Sequence, residues 1–405
     1  MNITASNTMH TCTSCGVCAA ICPTEAISMQ LDEQGFYRPQ VDEAQCVDCS
    51  LCTKVCYKYN VVEEFPLAIH SEVQLLACQA KDENVVNSTT SGGVAHLLAQ
   101  NLFEQGYKCV GVVYDNKMDY AKHICASSYL DIDAFRGSKY IQSMTFPAFK
   151  EMFATTKGEK VALFGTPCQI YAVDQYLKRR NRREDFLLID IYCHGCPSLK
   201  IWQRYVQEIK AIIKRKRFDN VEFRSKIKGW GNFYVVVVVV VDGLRAFVSS
   251  RKKDEFYQLF FSNLMLNGAC KNCKLRSTLE FADIRLGDFW GKCYDTNTKG
   301  VSGVTLVTKH GIEAFEQIKD KVYVMEHPFS DFLPFQSWGK VYQYNENLRN
   351  HLFEMLNQGK ALCEIQKYYF AHQSVAQKMK RHIKNLIYMF PPQVINKVKK
   401  IYHRL

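Results

Sequence analysis

Eight cysteines within the first 56 residues constrain this chain more than any other feature. Cys12, Cys15, Cys18 and Cys22 make one C-x2-C-x2-C-x3-C run followed by Pro23, and Cys46, Cys49, Cys52 and Cys56 repeat the spacing. Three thiolates at two-residue gaps wrap one face of a 4Fe-4S cubane, while the fourth reaches across to a second cluster. On that rule Cys12, Cys15, Cys18 and Cys56 hold one cluster, and Cys22, Cys46, Cys49 and Cys52 hold the other. Soft thiolate donors suit iron–sulfur chemistry. The competing use, a pair of zinc sites, seldom takes four cysteines at such close, repeated spacing. Tyr57 stands where a proline usually follows the second run, a change that removes no ligand.

The rest of the chain is too long for a cluster carrier alone. Its 405 residues, 47% of them hydrophobic, suffice for two or three domains and a sizeable core. The start, MNITASNTMHTC, has neither the basic nor the apolar region of a secretory signal. Reduced thiols in the cytoplasm are therefore expected, and metal or redox chemistry rather than disulfides. The aliphatic run Val235–Val241 is far short of the about 20 apolar residues of a membrane span. It reads as a buried strand ending in an Asp242-Gly243 hairpin turn.

The expected fold class is α/β, α+β overall. A two-cluster ferredoxin-like module (1–60) and a short linker precede a mixed-sheet domain in two parts, 68–150 and 151–310. A helical, basic extension (311–405) follows. Phe36-Tyr37-Arg38-Pro39 reads as a hairpin supporting the clusters. The Ser91-Gly92-Gly93 loop precedes a helical pattern (Val94, Leu97, Leu98, Leu102) and a strand at Val110–Tyr114. Strand VALF, the Gly165-Thr166-Pro167 turn, a helix to about Arg180 and strand LLIDIY make a βαβ unit. Its strands are parallel, so Cys168 and Cys193 emerge at one edge of the sheet, where open α/β sheets place ligands. Antiparallel strands are expected around Val221–Phe223 and Tyr234–Val241.

Cys168, Cys193 and the Cys270/Cys273 pair could therefore form a third 4Fe-4S site, with Cys196 competing for the place of Cys193. The alternative is that Cys168 and Cys193 are ordinary buried cysteines. Cys78, Cys109, Cys125, Cys293 and Cys363 have no partner at ligand spacing and read as core. His194 is a candidate proton donor, and Asp190, Asp283 and Asp288 are unpaired acid–base candidates.

At STTSGG, RGSKYIQS, LFGTPCQI, DIYCHGCPS, FRSKIKGWGNF and ADIRLGDFWG the chain resembles the family of coenzyme F420 hydrogenase/dehydrogenase beta subunits. The resemblance spans about residues 68–307. It implies a flavin- and iron–sulfur-containing oxidoreductase, with FAD near Ser91, Gly92, Gly93, Ser138, Lys139, Tyr140 and Thr166. It also implies Cys168, Cys193, Cys270 and Cys273 as ligands of a third cluster. Similar bacterial proteins accompany polysaccharide biosynthesis. The physical reading of the residues is compatible: Gly92-Gly93 before a helix can offer N–H groups to a pyrophosphate, and Lys139 a positive charge.

The expected function is thus electron passage between clusters and FAD, to or from an organic substrate or carrier. The alternative is an electron-transfer subunit without a substrate site, docked on a partner enzyme. The net charge of +12 is concentrated in a tail from Ala376 that has no acidic residue. That tail suits a partner-docked or solvated helix, or contact with anionic lipid at the inner membrane face. Nucleic-acid binding is not expected, since no nucleic-acid module accompanies the charge.

Overall fold

The computed structural model describes residues 1–6, 8–66, 72–227, 229–230, 236–250, 254–387 and 394. Its strands, in chain order, are β1 (Ile27–Leu31), β2 (Tyr37–Val41), β3 (Gln74–Ala80), β4 (Lys108–Asp115), β5 (Tyr120–Cys125), β6 (Ser143–Met144) and β7 (Val161–Phe164). They continue as β8 (Phe186–Ile191), β9 (Asn220–Glu222), β10 (Val236–Val241), β11 (Leu244–Ser250), β12 (Ile284–Asp288), β13 (Ser302–Leu306) and β14 (Val322–Glu326). Nine of them form one mixed sheet in the order β14-β3-β13-β12-β8-β7-β4-β5-β6. β4, β7, β8 and β12 run parallel at its centre, and the strands beyond β12 add antiparallel.

Strand β7 and the first four residues of β8 form apolar runs, as strands buried on both faces do. Val161, Ala162, Leu163, Phe186, Leu187 and Leu188 are completely buried. The expected βαβ unit is β7, helix Pro167–Arg179 and β8. Pro167 sits in the helix's first turn, where its missing N–H costs nothing. The Thr166 N–H donates to Gln169 Oε1 at 2.8 Å, half of a capping box. Helix Val94–Glu104 likewise buries Val94, Leu97, Leu98 and Leu102. β9, β10 and β11 make a separate antiparallel ribbon. Its turn, Asp242-Gly243, has φ of 52° and 72°, the left-handed pair a two-residue hairpin requires. Val240 and Val241 are only half-buried, so this end of the ribbon is less enclosed than the aliphatic run suggests. Val235 and Tyr234 lie outside the described residues.

The sheet does not stop near residue 310. Helix Lys309–Glu316 leads into β14, which pairs along β3, so the segment expected as a helical extension first completes the sheet. The reason is that β3 would otherwise be an edge with unpaired backbone groups. Helices Glu346–Asn357 and Leu362–Ala371 then pack Leu352, Phe353, Leu362 and Ile365 against Trp202, Tyr205 and Phe256. Helix Val375–Ile387 is the last described element of the basic tail, and Pro391-Pro392 lie outside the described residues. No described helix is long and apolar enough to cross a membrane.

The cysteine-rich module is seated on this domain by shared packing. Val17, Ile21, Val55 and Tyr57 belong to one apolar cluster with Phe149, Met152, Ile170, Tyr171 and Leu275. Polar contacts fix the register. Thr145 Oγ1 donates to the Cys15 carbonyl at 2.9 Å, and Asn267 Nδ2 to Ser14 Oγ at 3.0 Å. The Leu199 N–H donates to the Gly35 carbonyl at 3.0 Å, and Arg349 reaches Gln34 Oε1 at 2.7 Å.

Candidate metal centres

The two cysteine runs fold as near-copies. Each forms a short helix, Val17–Ala20 in the first and Leu51–Lys54 in the second. Ser14 and Asp48, each two residues past the first cysteine of its run, have φ of 63° and 49°. Gly16 and Ser50, four past it, have φ of 74° and 60°. These left-handed turns curl the backbone so that closely spaced thiols converge. Arg38 on the β2 hairpin supports the first loop, donating to the Cys12 carbonyl at 2.7 Å and Ser14 Oγ at 3.3 Å.

The sulfurs group across the runs. Cys12, Cys15, Cys18 and Cys56 line one cavity of about 280 Å³, together with Val17, Val55 and Met29. Cys22, Cys46, Cys49 and Cys52 line a second, with Pro23, Ile27 and Leu51. This is the crossed grouping that the spacing predicts. Burial pushes the Cys15 and Cys56 thiols up to about 12, and Cys18 well above its usual value. Neighbouring cysteines add to the rise. Buried thiols this crowded become thiolates only beside compensating cations, which the irons of a cluster supply. The second cavity is more open: Cys49 is exposed and Val47 beside it is 63% exposed.

Topology also assembles a third group. Cys168 lies in the first turn of helix Pro167–Arg179, directly past β7, while Cys193 and Cys196 follow β8. Cys270 and Cys273 come from tight turns at Gly268–Cys270 and Lys274–Ser277. The Cys196 N–H points to Cys270 Sγ at 3.4 Å. Burial raises all five thiols, Cys193 to about 11. Cys168 is raised next by Cys15 and then by Cys193 and Cys273; Cys270 is raised next by Cys193 and Cys273. Five half-buried thiols thus share one region, and that region adjoins the wall of the first cavity through Cys15. The structure brings Cys193 and Cys196 to the same place and leaves both available.

Two buried guanidiniums face this group. Arg285 is held by Asp190 through Nε–Oδ1 at 2.6 Å and Nη2–Oδ2 at 2.5 Å. Arg276 is 3% exposed and spends its donors on the carbonyls of Lys340, Cys270 and His194, with its plane 4.4 Å from the Tyr342 ring. None of these partners is a carboxylate. Its positive charge pulls Cys193 and Cys273 down against the effect of burial.

The loops expected around FAD do meet. The Ser138 N–H donates to Thr90 Oγ1 at 3.0 Å, bringing the 138–140 segment against the loop that holds Ser91, Gly92 and Gly93. Two of the expected groups are engaged elsewhere. The Gly92 N–H goes to Ser302 Oγ at 3.0 Å, and a side chain at Gly92 would strike the Cys78 carbonyl. Lys139 Nζ is buried on the carbonyls of Ala134, Phe135 and Arg136 at 2.8, 3.1 and 2.8 Å, closing helix Tyr129–Ala134. Burial lowers its pKa to about 7. Tyr140 packs edge-on to Tyr257 and Phe260, and Thr166 Oγ1 lies 3.2 Å from Cys168 Sγ.

The cations at this junction are Arg224 and Lys226, which the sequence reading did not single out. Lys226 Nζ bonds the carbonyls of Val86 at 2.7 Å and Ser91 at 2.5 Å. Arg224 pairs with Asp288 and stacks on Trp290 at 4.6 Å, while its Nη2 is buried without a hydrogen-bond partner. The signal available was three cations at alternate positions in FRSKIKGW, Arg224, Lys226 and Lys228. The remaining candidates are structural. His194 bonds Asn263 Oδ1 at 2.8 Å and Ser337 Oγ at 3.1 Å, and Asp283 accepts from the Leu188 N–H at 2.7 Å. Cys78 and Cys109 are buried as expected, but Cys293 and Cys363 are exposed. Cys293 instead stands with His327 and Asp331, three ligand-type side chains drawn together near the end of β14.

A dicluster module packed on an α/β sheet, with further thiols gathered where the two meet, defines an iron–sulfur electron-transfer protein. Residues 11–59 match the 4Fe-4S dicluster domain, and residues 158–331 match the family described as the C terminus of the coenzyme F420 hydrogenase/dehydrogenase beta subunit. Both matches agree with the resemblance carried by the sequence motifs. The chain is 23% identical over 338 residues to the F subunit of the F(420)H(2) dehydrogenase of Methanosarcina mazei, covering 78% of this chain and 85% of that one. It is 26% identical over 199 residues to an uncharacterized protein of Methanocaldococcus jannaschii, covering 42% of this chain and 54% of the other. A chain in the F420-reducing [NiFe] hydrogenase complex of Methanosarcina barkeri aligns with TM-score 0.47 and 17% identity, over 76% of this chain and 92% of that one.

Proposed function

We propose that the chain is an electron-transferring oxidoreductase subunit in which three 4Fe-4S sites carry single electrons between a redox partner and a two-electron carrier. The ligands are Cys12, Cys15, Cys18 and Cys56 for the first site, and Cys22, Cys46, Cys49 and Cys52 for the second. Cys168, Cys270, Cys273 and one of Cys193 and Cys196 serve the third. The observation that carries the reading is the third group: five half-buried thiols gathered beside Arg276, a buried cation with no carboxylate among its named partners. A buried charge needs an opposite one, and a thiolate-ligated cluster is anionic. The relative from Methanosarcina mazei is itself named as a subunit of a dehydrogenase, which supports docking on a partner enzyme.

FAD is the two-electron carrier we propose, because flavin exchanges one electron or two. The place for its phosphates is the junction of the 88–93 and 138–140 segments, with Arg224 and Lys226 as the cations. Iron and flavin analysis of anaerobically purified protein tests the whole reading. About twelve irons and one flavin per chain are expected. About eight irons would remove the third site, and protein without flavin would remove the two-electron carrier.

A further inference from the structure

Tyr57, the departure from the two-cluster cysteine pattern, occupies the junction between the module and the domain. It directly follows Cys56, one of the four cysteines around the first cavity. Its side chain is 2% exposed. The ring stacks on His10 at 4.1 Å with the planes 1° apart, and meets Tyr171 edge-on at 5.9 Å. The hydroxyl accepts the Lys274 N–H at 3.1 Å, the amide immediately after Cys273. The Lys58 carbonyl next to it receives the N–H groups of Met9 and His10, so His10 is itself tied down. Within one apolar cluster Tyr57 lies with Cys15 of the first cavity and with Cys168 and Cys273 of the third group.

Proline could not make these contacts. It has no hydroxyl for the Lys274 amide, which would lose this partner beneath the module, and no flat ring to lie on His10. The substitution therefore exchanges a residue suited to a free-standing cluster module for one that joins the module to a second set of cysteines.

We propose that Tyr57 is a positioning residue that fixes the first cluster cavity against the third cysteine group and so sets the rate of electron passage between them. The inference rests on the proposed function above. The step exchanges one electron: the reduced first cluster is oxidised as the oxidised third cluster is reduced, with no proton or other co-reactant. Tyr57 remains a closed-shell bridge and is not itself oxidised.

The test compares the full chain with Tyr57→Phe and Tyr57→Leu, all purified anaerobically. Three quantities are read: iron per chain, the spin–spin interaction between reduced clusters, and the rate at which the third cluster is reduced after dithionite reduces the module. In Tyr57→Leu, iron should stay at about twelve per chain while spin–spin splitting weakens and third-cluster reduction slows about tenfold. Tyr57→Phe keeps the ring but not the bond to Lys274, and should fall between the two. If the leucine variant loses iron, the phenylalanine variant carries the test, because a merely structural role would leave its intercluster splitting and rate at parental values. Parental splitting and rate in a fully loaded variant would overturn the inference alone. A parent chain with about eight irons would instead overturn the third site, and the inference with it.

Discussion

At Gly16 a single residue type follows from a left-handed backbone and a near neighbour. Its φ is 74°, and an added Cβ would clash with Thr145 Oγ1, the group that donates to the Cys15 carbonyl. Ser50 occupies the equivalent place in the second run with φ of 60° and is half-buried. Gly16→Ala should therefore cost about 2 to 4 kcal/mol, from left-handed strain plus overpacking, whereas Ser50→Ala should cost under about 1 kcal/mol. Thermal denaturation of the two variants under anaerobic conditions checks the difference; equal midpoints would contradict it. His123 makes a second residue-scale case. Burial lowers its pKa from 6.5 to about 4, and its Nε2 lies 3.3 Å from the Phe164 carbonyl. Below pH 6.5 the unfolded imidazole takes a proton that the folded one refuses until about pH 4, so the parent should lose stability across that window. The expected loss is about 3 kcal/mol relative to the trend of His123→Leu. Parallel melting-temperature curves for the two proteins between pH 7 and 5 would refute this. For Arg276, removal of the positive charge disfavours the more negative, reduced form of an adjacent cluster. Arg276→Gln should thus lower the midpoint potential of the proposed third cluster, which a potentiometric titration followed by electron-spin resonance would read directly.

The crossed grouping of the cysteines belongs to the scale of elements. Cys56 sits in the second run but lines the first cavity, and Cys22 does the reverse. Cys56→Ser should therefore disturb the cluster proposed at Cys12, Cys15 and Cys18 and spare the one proposed at Cys46, Cys49 and Cys52. Mössbauer spectra would show one altered cubane beside two intact ones, and damage confined to the other cavity would contradict the grouping. This much was legible in the sequence because local spacing dictates it: thiols two residues apart in a tight loop have few places to go. The βαβ unit was legible for a similar reason, since apolar runs of strand length flank a capped helix. The third group was only half legible. Its cysteines come from three separate segments, and a parallel sheet edge brings them together in a way no spacing records. The glycine and lysine expected to cradle phosphate were misread in role. Gly92 is small because Cys78 and Ser302 crowd it, and Lys139 closes a helix end. Cys293 was misread as core because isolated cysteines are usually buried, whereas this one lies in a surface loop after β12.

Across the whole molecule, exposure is greatest at the second cysteine group. Its cavity opens to solvent at Cys49 and Val47, while the first and third groups hold no exposed cysteine and adjoin each other through Cys15 and Cys168. Charge is divided in the same way. The chain as a whole carries +12, yet residues 1–60 hold six carboxylates against three Lys or Arg side chains. Glu43 and Asp48 lie exposed on the loop that lines the second cavity, and reduced clusters would add further negative charge. A partner exchanging electrons there should therefore present a basic face around its own redox centre, since complementary potentials steer encounter and govern association rate. Salt screens such attraction over a Debye length of about 8 Å at physiological ionic strength. Electron exchange between the full chain and a basic one-electron redox protein should slow as salt is raised from 20 to 300 mM, on the order of tenfold. In the double variant Glu43→Lys, Asp48→Lys the low-salt rate should fall several-fold and the salt dependence flatten, while exchange with a small neutral mediator stays unchanged. If the double variant kept the parental rate and salt slope with the basic protein, electrons would be exchanged at some surface other than the second cavity.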